Sequence, residues 1–283
     1  MAHLARRTFL QSAAAVCAAR ALSANPLGLP IGSQTYPHRQ RIKDGDFPGL
    51  CKDLAALGVG VIELCSPGYG EFTSLSDAAQ TRRIVEDHGL HCPSSHFSMR
   101  ELRTGLDQAI AWAHGIGMTQ MGTASLNAPS PNGVASMDAI ARATDEYNRI
   151  GESTAKAGIQ LFLHDERFEM SKVDGRLTYE VLLERLDPKL VKMQFQMSAM
   201  TAVGDPIGYF TKYPGRFLSM HLQGVDLTPS DQPPRTNLAV GKDTVDWPRV
   251  FTAAKTGGLK NYFIELSWDL TVESVAYLKT LPA

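Results

Sequence analysis

Short apolar runs alternate with longer amphipathic stretches along almost the whole chain. Residues 31–36, 60–65, 90–96, 118–122, 159–164, 190–196, 217–223 and 261–266 are apolar runs of strand length. Between them, residues 47–57, 77–88, 102–114 and 137–157 carry apolar positions at helical spacing. Gly58, Gly89, Gly115 and Gly158 stand where each of these helices is expected to stop, because a helix C-terminus favours a residue free to take positive φ. Near-continuous apolar strands between helices imply a parallel sheet covered on both sides. Eight strand–helix units without a break in composition favour closure into a single-domain α/β (β/α)8 TIM barrel over an open doubly wound sheet.

Four of the runs end on a polar residue. His164 closes Ile-Gln-Leu-Phe-Leu-His, Gln196 closes Met-Gln-Phe-Gln, His221 closes Phe-Leu-Ser-Met-His, and Glu265 closes Tyr-Phe-Ile-Glu. A polar strand end lies where sheet meets solvent, and in a barrel that C-terminal rim carries the active site. Two imidazoles, an amide and a carboxylate from four successive strands could surround one divalent metal ion. The segment 224–242, with three prolines, follows the strand of His221 and is a candidate lid.

Composition narrows the picture. Net charge is −1, from 28 basic and 29 acidic residues, and no basic cluster marks a nucleic-acid face. No zinc ribbon, Gly-rich phosphate loop or Gly-x-Ser-x-Gly elbow is present. The first 24 residues stand apart. Arg6-Arg7-Thr8-Phe9-Leu10 followed by an Ala-rich run resembles a twin-arginine export signal, with Ala19-Arg20-Ala21 or Leu22-Ser23-Ala24 as cleavage sites. The run is too short for stable membrane insertion. Residues 25–283 then form the barrel, and export implies a periplasmic or secreted enzyme. Cys51, Cys65 and Cys92 follow the leader, an odd count that argues against a disulfide framework.

From about residue 31 onward the chain resembles the xylose isomerase-like sugar phosphate isomerase/epimerase superfamily. The resemblance lies in Val240-Gly241-Lys242-Asp243-Thr244-Val245-Asp246-Trp247, which is similar to a Gly-x-Gly-x-(Ile/Val)-Asp-Trp segment leading into a Glu-ending last strand. Gly60-Val61-Ile62-Glu63-Leu64 and Gly89-Leu90-His91-Cys92-Pro93-Ser94-Ser95-His96 are similar to the second and third strands. The resemblance implies a metal held by Glu, Asp, His and Glu at strands five to eight. His221 and Glu265 match in type, whereas His164 and Gln196 depart. A nitrogen-rich set suits Mn²⁺, Zn²⁺, Co²⁺ or Fe²⁺ better than Mg²⁺.

The expected activity is a metal-dependent isomerase, epimerase or lyase acting through an enediolate on a sugar or keto-sugar. Glu265, or a carboxylate leaving the fifth strand such as Glu166, is the expected base. Asp165 and Glu169 belong to the same acidic run. Tyr36, His38, Glu63, His96 and Trp268 are candidate substrate contacts, with Glu63 alternatively holding another ligand. The partner is a small carbohydrate, with no nucleic acid, and a homo-oligomer is open. Two other classes remain: a degenerate barrel that binds sugar without turnover, and a metal-dependent endonuclease.

Overall fold

The computed structural model describes residues 25–283, apart from 127–135, 167, 202–204 and 229–233. The twin-arginine segment lies outside the described residues. Eight strands form the barrel: β1 (Gly32–Gln34), β2 (Val61–Cys65), β3 (His91–His96), β4 (Gln120–Thr123), β5 (Gln160–His164), β6 (Val191–Gln196), β7 (Phe217–Leu222) and β8 (Asn261–Ile264). They are parallel and neighbour one another in chain order, and β1 pairs with β8 to close the ring. The expected (β/α)8 barrel is therefore the observed one. Among the described residues, no helix is long and apolar enough to cross a membrane.

Local sequence accounts for the elements. Helix Phe47–Leu57 matches its expected span, and Gly58 ends it at φ 91°. Asp77 and Ser136 cap the helices Ala78–Asp87 and Met137–Lys156 by accepting from the backbone N–H of Gln80 and Ala139. The expected helix over 102–114 is instead two, Met99–Thr104 and Leu106–Ile116, broken at Gly105. A reciprocal capping box between Ser98 and Glu101 starts the first earlier than apolar spacing indicates. The second runs through Gly115 and stops at Gly117, φ 91°. β1 is shorter than its apolar run, because Tyr36-Pro37-His38 turns into a 3-10 helix.

The outward strand residues, such as Met193, Phe195, Met220 and Leu222, join the buried apolar layer beneath the helices. The fourth and fifth strands approach closely at Gly122. A Cβ on Gly122 would overlap the Phe162 carbonyl oxygen of the neighbouring strand. Gly122→Ala is expected to destabilise the fold by about 1–3 kcal/mol or more through overpacking, read as a lower urea midpoint at unchanged slope.

The candidate lid contains an antiparallel hairpin, Gly224–Asp226 with Arg235–Leu238. Asp243 anchors it. Its carboxylate accepts from Val225 N at 3.2 Å, from Gly241 N at 3.3 Å and from Trp247 Nε1 at 3.0 Å. Trp247 is fully buried, so it serves packing and anchors this segment.

Candidate active site

Alternation along the strands sets which side chains reach the barrel interior. In β6, Gln194 and Gln196 point inward while Met193 and Phe195 join the apolar layer outside. β7 sends in Ser219 and His221, β3 Ser94 and His96, β2 Glu63. Glu265 follows β8 directly. The result is two polar layers, one at the rim and one beneath it.

The rim layer gathers Gln196, His221, Gln223 and Glu265. Glu265 Oε2 accepts from Gln196 Nε2 at 2.7 Å and from Gln223 Nε2 at 2.9 Å, and lies 3.2 Å from His221 Nδ1. His164 packs against His221 with ring centroids 4.6 Å apart and planes tilted by 46°, and its Nε2 lies 3.6 Å from Glu166 Oε1. All four residues at the polar strand ends are thus brought together.

The lower layer centres on Glu63. Its Oε1 accepts from His221 Nε2 at 2.6 Å and lies 3.2 Å from His96 Nε2. Its Oε2 accepts from Ser94 Oγ at 2.6 Å and Gln194 Nε2 at 2.8 Å. Gln194 also donates to Ser219 Oγ at 2.8 Å, and its Oε1 accepts from His96 Nε2 at 2.7 Å. Glu63 and His96 therefore lie below the cavity floor, where they hold other side chains. Ser94, Gln194, Ser219 and Gln223 are absent from the expected site. The period-2 rule would have found the first three, each two residues before an inward rim residue or in register with Glu63.

Charge in this interior is tightly coupled. Burial disfavours the ionised form of Glu63, but His96 and His221 outweigh it and hold the carboxyl well below the usual range. Burial likewise opposes the His221 imidazolium, yet Glu265 and Glu63 together raise its pKa to about 10. Glu265 goes to about 2, because His221 overrides the burial that would raise it. His164 is lowered, chiefly by burial.

The acidic run after β5 is not a uniform solvated loop. Asp165 is fully buried and raised well above its ordinary value by burial, with Oδ1 accepting from Gln196 N at 3.0 Å. Glu169 is buried and pushed up to about 7 by desolvation. It accepts from Ser125 Oγ at 2.8 Å, Glu166 N at 2.9 Å and Leu126 N at 3.2 Å. Glu166 alone of the three is exposed, side chain 51 % accessible.

A cavity of about 700 Å³ opens above the rim layer. Gln196, Gln223 and Glu265 reach it from the floor, Tyr36 and Arg39 from the β1 exit, Glu166 from the β5 exit, and Thr236 and Asn237 from the hairpin. His38 and Trp268 are not among its lining residues. They pack edge-to-face on each other at 5.8 Å, and His38 is buried beneath, with its pKa lowered to about 4 by desolvation and by Arg41.

The residues present fit a divalent cation. His96, His164 and His221 bring ring nitrogens within 4.8 Å of one another. His164 Nδ1 and Gln196 Oε1 are buried without hydrogen-bond partners, a costly state for a lone pair unless another group engages it. Imidazole, amide and carboxylate together form a borderline donor set.

Solved structures share this fold. A sugar phosphate isomerase/epimerase from Parabacteroides distasonis superposes with TM-score 0.75 at 22% identity, over 90% of this chain and 97% of that one. A probable 3-DHS dehydratase from Bacillus anthracis follows with TM-score 0.66 at 11% identity, over 89% and 99%. A xylose isomerase-like TIM barrel protein from Mycobacterium smegmatis, in complex with magnesium, gives 0.63 at 16% identity, over 89% and 95%. No family model and no curated protein matches the chain. At these identities the likeness is one of fold, a closed (β/α)8 barrel.

Proposed function

We propose that this protein is a divalent-metal-dependent carbohydrate isomerase, epimerase or lyase acting through an enediolate on a sugar or keto-sugar. The observation that carries the reading is the buried cluster of imidazoles and carboxylates under an open cavity, with two orphaned lone pairs at its surface. His164, Gln196, His221 and Glu265 would hold the cation. When bound, the cation would supply Lewis-acid polarisation of a substrate carbonyl or hydroxyl.

The protein's own groups then divide the work. Glu265 is a poor base, since its proton affinity is depressed to about 2 before any cation adds to the effect. Glu166 is better placed to take the proton from carbon. It lines the cavity beside His164, and the hydrogen bond from its backbone N–H to Glu169 holds its loop. Returning the proton to a different carbon isomerises the sugar, and expelling a β-substituent eliminates. The hydroxyls and amides of Ser198, Thr201, Thr236 and Asn237 offer the neutral hydrogen-bonding that carbohydrate requires.

Elemental analysis of purified protein, with a screen for proton exchange at substrate carbon in D₂O against free and 3-keto sugars, tests the reading. One equivalent of a transition metal and exchange with at least one sugar is expected. Metal without exchange favours the degenerate binding barrel, and absence of both sinks the proposal. Work outside the cytoplasm is also part of this reading, supported by the Arg6-Arg7 pattern. Changing both to Lys should leave the precursor in the cytoplasm by fractionation, and unchanged export would remove that support.

A further inference from the structure

We propose that Glu63 is a positioning residue, fixing His221 with its Nε2–H inward and Nδ1 toward the rim, and placing negative charge beneath the nitrogen-rich centre. The inference rests on the reading of the rim as a cation site.

Glu63 has no solvent exposure. Its two oxygens are used differently. Ser94 Oγ and Gln194 Nε2 both donate to Oε2, at 2.6 and 2.8 Å. These neutral donors orient the carboxylate and leave Oε1 to face His221 Nε2 at 2.6 Å. An ionised carboxylate only accepts, so Nε2 must carry a hydrogen. In neutral imidazole the lone pair is then on Nδ1, which faces Glu265 Oε2 at 3.2 Å. Either neutral tautomer sets a lone pair against a carboxylate oxygen, and the one with its hydrogen on Nε2 keeps the shorter contact, 2.6 Å against 3.2 Å, as a hydrogen bond.

A purely structural role does not explain this layer. Barrel interiors are ordinarily filled by branched apolar side chains, and a buried carboxylate carries a heavy desolvation penalty. An outward-facing imidazole ligand buttressed by a buried carboxylate is the arrangement that raises ligand basicity. It also answers the charge question at the rim. With His164 and Gln196 neutral, Glu265 is the one carboxylate of the proposed donor set, and Glu63 adds a second negative charge through His221.

Zinc titration of the full chain tests this, with nitrogen-15 histidine spectra of the zinc-loaded protein. Glu63→Gln keeps the shape and removes the charge, and should bind zinc about 10–100-fold more weakly. Glu63→Asp keeps the charge at a longer reach and should fall between. The wild-type spectra should show His221 Nε2 protonated and Nδ1 metal-bound, a readout that needs no variant to fold. Unchanged affinity in a folded Glu63→Gln protein, or metal on Nε2, overturns the inference alone. A wild-type chain that binds no zinc, manganese, cobalt or iron overturns both it and the proposed function.

Discussion

Glu265→Gln is expected to lower divalent-cation affinity by more than about 100-fold, beyond the roughly 10–100-fold attached to outer-shell partners. The carboxylate is the point on which Gln196, Gln223 and His221 converge. Removing its charge takes away the only anionic member of the proposed donor set. The change also has a pH signature. With pKa about 10 in the cation-free protein, His221 holds a proton at pH 7 that a cation must displace. Affinity should therefore rise about tenfold per unit from pH 7 toward about 10 and then level off. In Glu265→Gln one of the two raising partners is gone, so levelling should begin at lower pH. Stability of the cation-free protein moves the other way. A folded pKa of about 10 against the ordinary 6.5 gives stabilisation that is full below 6.5 and lost as pH rises through 10. Glu265, at about 2 against 4.5, contributes above 4.5 and loses that contribution as pH falls through 2. Calorimetric titration across pH 6–10 would check the affinity. A Glu265→Gln variant that binds cation like the parent would remove this residue from the site.

Glu166→Gln is expected to lower turnover by about 10²–10⁴-fold, the range for loss of a positioned general base, with cation content unchanged. The split between the two variants is the informative result. Glu265 is held by three neighbours inside the rim, whereas Glu166 is exposed to the cavity and anchored through its backbone to Glu169. If Glu166 takes the proton, the D₂O exchange signal disappears with the metal still in place. Should Glu166→Gln exchange normally, the proton acceptor is elsewhere, and Glu265 is the other carboxylate lining the cavity among the described residues.

The barrel was legible in the chain because its signals are local. Apolar runs of strand length, amphipathic spacers and the capping glycines at 58 and 158 each act within a few residues, and their repetition leaves few topologies. Where local signals competed, the boundaries moved: the Ser98–Glu101 capping box outweighed the apolar period, and Pro37 cut β1 short. The rim residues His164, Gln196, His221 and Glu265 were also legible, since each marks the end of an apolar run.

Local patterns in the chain thus set the strand–helix order and the residues standing at strand ends. The layer below comes from how the strands close on one another. Barrel closure brings Glu63 to His221, 158 residues away in the chain, and to Gln194, 131 residues away. No local pattern carries such a pairing, because strand tilt and register across several neighbours set which inward side chains meet. The same closure buried Asp165 and Glu169 while leaving Glu166 in the cavity. It also turned His38 and Trp268 away from the cavity and onto each other. Asp165 and Glu169 are raised in proton affinity because burial is a property of the folded surroundings, which charge and spacing along the chain do not encode.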